Sequence, residues 1–214
     1  LWKSENKQDI LMKALITQRE GVDKYGSAVD SLESNYIKYF EGLGYNLVPV
    51  SNYISSVDYL FEELPSLLIL TGGGSLPGWC YEPVGSGVDS PCRDRIEKAL
   101  FDKAIQLGVP VVAICRGMQY VNVLLGGRIS VLSDLSVPRD IGKEHPIQWE
   151  KEILMVNNYH NDGIFLNQLA DGLYPIAMDV DNDVVEGFIS LEKRILGFQF
   201  HPERSISDLS SGEK

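Results

Sequence analysis

The stretch Val111-Val112-Ala113-Ile114-Cys115-Arg116-Gly117-Met118-Gln119 constrains the fold most: an apolar run stops at a cysteine and a glycine, and helical spacing begins at once. A short continuous apolar run bounded by a turn signal is the pattern of a strand buried on both faces, here feeding a tight turn into a helix. Such a corner lifts the Cys115 sulfur to the exposed top of a sheet, beside the backbone N–H groups of a helix N-terminus, where a thiolate is stabilised. A cysteine after an apolar strand is by default core packing. Gly117, two residues on, shifts the balance because it leaves room in the turn. A free thiol with a pKa near ~8.5 is mostly protonated at neutral pH, so a base has to arrive from elsewhere in the chain.

The residues before that corner alternate strand and helix signals. Met12–Thr17 reads as a first strand, and 29–43 as a helix through Leu32, Tyr36, Tyr39, Phe40 and Leu43, closed by Gly44. Tyr45–Val50 is a second strand, 56–64 a short helix, 66–71 a buried third strand, and Gly72-Gly73-Gly74 a loop at its carboxyl end. Residues 79–92 read as a surface excursion rich in Gly, Pro and Ser. Helical spacing then resumes over 94–107 through Ile96, Leu100, Ala104 and Leu107, capped by Gly108. After the strand over 109–114 and the helix over 118–125, the character changes. Residues 128–131, 153–157, 176–179, 184–190 and 195–199 are strand-like pieces with little helix between them. The expectation is an α/β fold: a flavodoxin-like, open, mostly parallel sheet with helices on both faces, a strand-rich C-terminal half and a cysteine nucleophile elbow. One domain spanning 1–214 is expected, with loose ends at 1–11 and 205–214.

A formal net charge of −11 without clustered Lys and Arg argues against a nucleic-acid partner, because phosphate binding needs such clusters. Residues 1–10 are polar and the next apolar stretch is short, so neither a signal peptide nor a membrane span is expected. Cys80, Cys92 and Cys115 are odd in number and lack metal-type C-x-x-C spacing, which suits reduced thiols in a cytoplasmic protein with no metal and no cofactor.

Gly197-Phe198-Gln199-Phe200-His201-Pro202-Glu203 supplies the base. A lone histidine is more often a satisfied surface or core residue. Glu203, two positions on, lies on the same side of an extended segment and can accept from one imidazole nitrogen while the other faces a thiol. Pro202 stiffens the arrangement. His145 and His160 fall in loop-like stretches with no comparable carboxylate spacing. Addition of a thiolate to a carbonyl also needs two preorganised donors for the oxyanion, and the backbone N–H groups of Gly73 and Arg116 are the candidates. In an open parallel sheet, ligands sit beyond the carboxyl ends of the strands, where both fall.

Ala113-Ile114-Cys115-Arg116-Gly117-Met118-Gln119 together with the His-Pro-Glu segment resembles the class I glutamine amidotransferase superfamily, with its G-x-C-x-G elbow and H-P-E motif. Within it, four stretches resemble the γ-glutamyl hydrolase-like peptidase branch that includes γ-glutamyl-γ-aminobutyrate hydrolase. They are Leu70-Thr71-Gly72-Gly73-Gly74, Arg93-Asp94-Arg95-Ile96-Glu97, Cys115-Arg116-Gly117-Met118-Gln119 and Val156-Asn157-Asn158-Tyr159-His160-Asn161. The resemblance implies Cys115 as nucleophile, His201 as general base and acid, Glu203 as its orienting carboxylate, and Gly73 and Arg116 as oxyanion donors. It implies Gln119 as a holder of the glutamyl moiety, and Tyr159, His160 and Asn161 as binders of its α-amino and α-carboxylate groups. Two departures stand out: Ala113 replaces the first glycine of the elbow, and Gly74-Ser75-Leu76-Pro77 replaces the branch's usual G-D-x-D-P.

The implied reaction is hydrolysis of a γ-glutamyl amide through a cysteine thioester, releasing glutamate and an amine from a small-molecule substrate. The alternative is a glutaminase subunit that uses the same residues on glutamine and delivers ammonia to a separate synthase. Leu15-Ile16-Thr17-Gln18-Arg19 also resembles the γ-glutamyl-CDP-amidate hydrolases, a variant of the first reading. A purely binding role is disfavoured because both the cysteine and the histidine are present. The 75–91 and 133–149 segments are expected to set the leaving group.

Overall fold

Side chains alternate across the two faces of a strand, so a run that is apolar at every position can be satisfied only by cover on both sides. The computed structural model, which describes residues 12–84, 87–133 and 141–204, shows that cover. In chain order the strands are β1 (Met12–Thr17), β2 (Arg19–Val22), β3 (Ala28–Ser31), β4 (Tyr45–Val50), β5 (Leu67–Leu70), β6 (Val111–Ile114), β7 (Ser130–Val131), β8 (Glu144–Trp149), β9 (Glu152–Asn157), β10 (Asp162–Phe165), β11 (Tyr174–Asp179), β12 (Val184–Ser190) and β13 (Ile195–Phe198). The helices are α1 (Ser34–Gly42), α2 (Pro91–Leu107) and α3 (Arg116–Leu124). Leu15, Leu68, Leu70, Val111 and Ala113 face a core built with Ile96, Leu100, Phe101 and Ala104 of α2 and Met118 and Val121 of α3. Ala14, Ile16, Leu67, Ile69 and Ile114 face the opposite way, against Tyr36 and Phe40 of α1. Withdrawing each large apolar side chain from water contributes about 1.5–3 kcal/mol.

The main sheet runs β4-β1-β5-β6-β13-β12-β11-β8-β9, with β10 pairing β12 and β7. The first five strands in this order are parallel, and β12, β11, β8 and β9 follow antiparallel. The expected fold class, a mostly parallel core passing into a strand-rich second half, is the observed one. β13 is the joint. Its register with β6 pairs Phe198 with Ile114, so the chain just past each strand emerges at one carboxyl edge.

Several elements differ from expectation. Residues 29–43 are not one helix: their start is β3, which pairs with β2 as a separate hairpin. The Asp23 carboxylate accepts from the N–H groups of Tyr25 and Ser27, and Gly26 takes a φ of 85°, closing a turn that helical periodicity further on had masked. Residues 56–64 form only a single 3-10 turn at Asp58–Phe61. The 79–92 segment is not wholly superficial, since Cys80 and Tyr81 are buried. On α2 the inward stripe is Arg93, Ile96, Glu97, Leu100, Phe101 and Ala104, whereas Leu107 is exposed. β8 and β10 carry no strand signal in sequence, because β8 is polar and contains Pro146 and β10 has only four residues. The expected ends, 1–11 and 205–214, lie outside the described residues. No helix among those described is long and apolar enough to cross a membrane.

Candidate active site

The corner at the end of β6 has the shape that its sequence demands. Cys115 precedes α3 with φ 53° and ψ −108°, a left-handed backbone that costs a non-glycine residue about 1–3 kcal/mol. Two neighbours hold it there. The Cys115 N–H donates to the Phe198 carbonyl at 2.7 Å, tying the corner to β13, and the Cys115 carbonyl accepts from the Gln119 N–H at 3.1 Å, starting the helix. Gly117 is obligatory, because a Cβ there would run into the Leu70 carbonyl. Ala113 needs no glycine: its methyl is completely buried in the larger core. Cys115 itself is only 7% exposed, so the expected exposed thiol is instead a buried one at the floor of a cavity.

Beyond β13 the chain turns back over this thiol. Asn157 brackets the His201 backbone, its Nδ2 donating to the His201 carbonyl at 2.8 Å and its Oδ1 accepting from the His201 N–H at 2.9 Å. Glu203 Oε1 lies 2.6 Å from His201 Nδ1, which donates to it and leaves Nε2 for the thiol. The closeness of thiol and ring is readable at Gly72, where an added Cβ would sit 2.6 Å from His201 Cε1 and 3.1 Å from Cys115 Cβ. Burial opposes charge on both groups, yet the pair wins. Burial alone would raise the Cys115 pKa, but the His201 charge, a hydrogen bond from His201 and the N–H groups of Gly73 and Arg116 bring it below the ordinary thiol value. Burial would lower the His201 pKa, but the Cys115 thiolate beside it, and then Glu203, raise it to about 9. Thiolate and imidazolium stabilise one another.

The two candidate oxyanion donors both reach Cys115 through backbone N–H groups. They are held by a buried truss. From α2, Arg93 donates to the carbonyls of Thr71 (2.7 Å), Gly72 (3.2 Å) and Gly73 (2.7 Å) and to Glu97 Oε1 (2.8 Å). Glu97 Oε2 accepts from Arg116 Nη1 at 2.5 Å; Arg116 also pairs with Asp94 and donates to the Ser75 carbonyl at 3.0 Å. Thr17 donates to Glu97 at 2.9 Å, and the Tyr36 hydroxyl accepts the Gly72 N–H at 2.9 Å. Burial would raise the Glu97 pKa, but the two guanidinium groups hold it below the usual range. One carboxylate thereby joins the glycine loop after β5 to the corner after β6.

A cavity of about 430 Å³ opens over these groups and is lined by Arg19, Gly73, Gly74, Ser75, Cys115, Gln119, Tyr159, His160, Asn161, Asp162, His201 and Arg204. All the sequence-predicted site residues except Arg116 and Glu203 reach its wall, and those two support it from behind. Gln119 Nε2 donates to the Asp162 carbonyl (2.8 Å) and Gln199 Oε1 (3.1 Å), and Asn161 Nδ2 to Ser133 Oγ (3.1 Å). Tyr159 meets the His201 ring edge-on at 5.9 Å. His160 lies in a loop as expected, but His145 lies on β8, and both have carboxylates beside them: His145 Nδ1 is 3.2 Å from Asp179, and each imidazole Nε2 is 3.7 Å from Glu186. Sequence spacing could not show this, because the carboxylates come from β11 and β12 across the sheet. His145, His160 and Glu186 bring one ligand atom apiece within 4.8 Å of one another, the set among the described residues that could hold a metal ion. Arg93, Glu97 and Asn157 were missed as site supports. Their signal was present, since Arg93 and Glu97 sit four apart on the apolar stripe of α2, where unpaired charge is not tolerated.

Sequence and fold together place the chain among the glutamine amidotransferase-like hydrolases. The fold is similar to that of a solved glutamine amidotransferase from Thermotoga maritima, which superposes with a TM-score of 0.58 over 90% of this chain and 76% of its own, at 17% identity. The chain belongs to the Peptidase C26 family, whose model matches residues 12–203. A glutamine amidotransferase-like protein of Lactococcus lactis is 32% identical over 199 residues, covering 82% of this chain and 81% of that protein. The γ-glutamyl-CDP-amidate hydrolase of Campylobacter jejuni is 29% identical over 184 residues, covering 85% and 84%.

Proposed function

We propose that this chain hydrolyses a γ-glutamyl amide through a thioester on Cys115. The observation that carries the reading is the thiol–imidazole pair at the helix start, with two backbone N–H groups directed at the same sulfur. The Cys115 thiolate adds to the γ-carbonyl carbon, and the carbonyl oxygen becomes an oxyanion held by the N–H groups of Gly73 and Arg116. Collapse breaks the C–N bond while His201, oriented by Glu203, gives its Nε2 proton to the departing nitrogen. The amine leaves, His201 takes a proton from water, hydroxide adds to the thioester, and C–S cleavage returns the thiolate with glutamate. Gln119, Tyr159, His160 and Asn161 hold the glutamyl end. The Campylobacter jejuni relative, a γ-glutamyl-CDP-amidate hydrolase, supports the choice of a γ-glutamyl amide over other amides.

Glutamate release from a panel of γ-glutamyl amines tests the proposal, with free glutamine as one member. Turnover of several γ-glutamyl amines by the isolated protein is expected. Activity confined to glutamine, and only in the presence of a synthase, would replace this reading by ammonia delivery.

A further inference from the structure

Behind the cavity wall, two imidazoles turn toward one fully buried carboxylate. Glu186 lies on β12, between β11 and β13 in the sheet. His145 of β8 and His160 of the loop after β9 approach it with Nε2, the first 3.7 Å from Oε2 and the second 3.7 Å from Oε1. The other nitrogen of each ring settles the tautomer. His145 Nδ1 is 3.2 Å from Asp179 Oδ2, and His160 Nδ1 is 3.0 Å from the Asp162 carbonyl. An ionised carboxylate and a carbonyl only accept, so both Nδ1 atoms donate, and in the neutral rings each Nε2 presents a lone pair toward Glu186.

Electron-pair donors that converge in a buried place call for positive charge among them. A proton on each ring would supply it, but the two ring centroids are 6.2 Å apart, where two imidazolium ions repel. One divalent ion supplies the same charge at a single point. The spacing suits an ion: 3.7 Å exceeds a direct hydrogen bond, about 2.7–3.2 Å. Two donors on one tetrahedral zinc ion, each about 2.0–2.2 Å from the metal, stand roughly 3.4 Å apart. The backing fits as well, since a metal-bound imidazole usually donates its second N–H to a carboxylate or carbonyl. Asp179, behind His145, is itself fixed by the N–H groups of Asp181 at 2.9 Å and Asn182 at 3.0 Å.

We propose that His145, His160 and Glu186 bind one divalent transition-metal ion of the zinc class. Two imidazoles and a carboxylate, without thiolate, are donors that zinc accepts. Three protein donors leave one tetrahedral position for water, and His145, the most exposed of the three, marks the side of entry. The ion pins β8, β12 and the loop that carries Tyr159, His160 and Asn161. The Asp162 carbonyl that accepts from His160 also accepts from Gln119 Nε2 at 2.8 Å, so the ion steadies the wall assigned to the glutamyl end without touching the reacting carbonyl. Its role is structural, and the site stands independently of the proposed hydrolysis.

Zinc titrated by calorimetry into chelator-treated Cys115→Ala protein tests the site, the alanine removing a thiol that would compete for the ion. One equivalent should bind, and the melting temperature should rise with free zinc. In the same background Asp179→Asn, which keeps all three ligands, should weaken zinc affinity by about 10–100-fold, the scale of an outer-shell partner, and His145→Gln should weaken it further. Cobalt in place of zinc should give the visible absorption of a four-coordinate ion, lost in His145→Gln. No stoichiometric uptake by the folded parent protein overturns the proposal. So does uptake that His145→Gln leaves unchanged, which would put the ion elsewhere. Should His145→Gln fail to fold, unchanged affinity in Asp179→Asn with a weak, six-coordinate cobalt spectrum is the overturning result. Glutamate release by the wild type separates the two proposals: hydrolysis without zinc uptake removes the metal site alone, and zinc uptake without hydrolysis removes the proposed reaction alone.

Discussion

Cys80 and Cys115 are both reduced and both buried, yet they carry opposite chemistry. Cys80 ends a three-residue 3-10 turn, and its burial, followed by the charge of Asp94, pushes its thiol up to about 12. Cys115 is buried too, but it opens α3 with two N–H groups and an imidazolium against its sulfur, and its pKa falls. Arg116 lowers the pKa of Cys80 through its charge, as it helps Cys115 through its N–H, so proximity to a cation is not what separates them. The difference is that one sulfur has donors directed at it and a partner that gains by ionising with it. Burial raises the pKa of both thiols; at Cys80 it prevails, and at Cys115 the directed donors and the imidazolium outweigh it.

The largest break in that comparison comes from deleting the sulfur that matters. Cys115→Ala should cut kcat on the order of 10⁶-fold, the scale for a lost nucleophile. It should also let His201 titrate well below 9, since the thiolate is the leading force that raises it, and an NMR titration of the imidazole reads this. Glu203→Gln should cost on the order of 10⁴-fold in kcat by leaving the ring in the wrong tautomer. In the wild type, kcat/KM should fall above about pH 9, as His201 loses the proton that the leaving amine needs. On the acid side it should fall only below the ordinary thiol range, because the thiolate persists to lower pH. A profile still rising through pH 9 would mean that the pair is not formed.

How much of this was legible in sequence depends on whether the signal was local. The parallel core was legible because Leu67–Leu70 and Val111–Ile114 are apolar at every position, a pattern that few other environments satisfy. The positions of Cys115, His201 and Glu203 followed from one turn and one dipeptide spacing, and the sheet brings them together because Phe198 pairs with Ile114. Residues 29–31 of β3 fall inside the 29–43 helical window because Leu32, Tyr36 and Phe40 beyond them have helical spacing, and the hairpin turn at Asp23 lies upstream of that window. The Glu33 pairs with Arg204 and the contacts of His145 with Asp179 and Glu186 join residues with no sequence relation at all, so periodicity could not find them. Arg93 and Glu97 are the intermediate case: two opposite charges on an apolar stripe announce a buried pair but not its target.

The truss built on that pair should show next. Arg93→Gln removes the donor to the carbonyls of Thr71, Gly72 and Gly73 and leaves Glu97 with one guanidinium partner, Arg116, beside the Thr17 hydroxyl. A broken buried pair costs about 3–5 kcal/mol of stability, read as a lower melting temperature. With Gly73 less well fixed, kcat should drop by about 10²–10³-fold, the scale of one oxyanion donor, with KM changed far less. A variant that melts early but keeps full kcat would confine Arg93 to stability.

The smallest expected effect closes the comparison from the other side. Cys80→Ala removes a buried sulfur that packs among Leu76, Tyr120 and Ile129 in the larger core and has no part in the cavity at Cys115. The cost should be about 1 kcal/mol of stability, typical of a modest core truncation, with kcat and KM within about twofold of wild type. Alkylation gives the sharper reading. At neutral pH iodoacetamide should modify Cys115 first and Cys80 only on unfolding, because reactivity follows the thiolate fraction, which the field at Cys115 promotes and the burial of Cys80 suppresses. In Cys115→Ala protein the fast alkylation should vanish while Cys80 stays protected. Rapid labelling of Cys80 in the folded enzyme would mean that burial there is not what holds its proton, and the contrast between the two thiols would lose its physical cause.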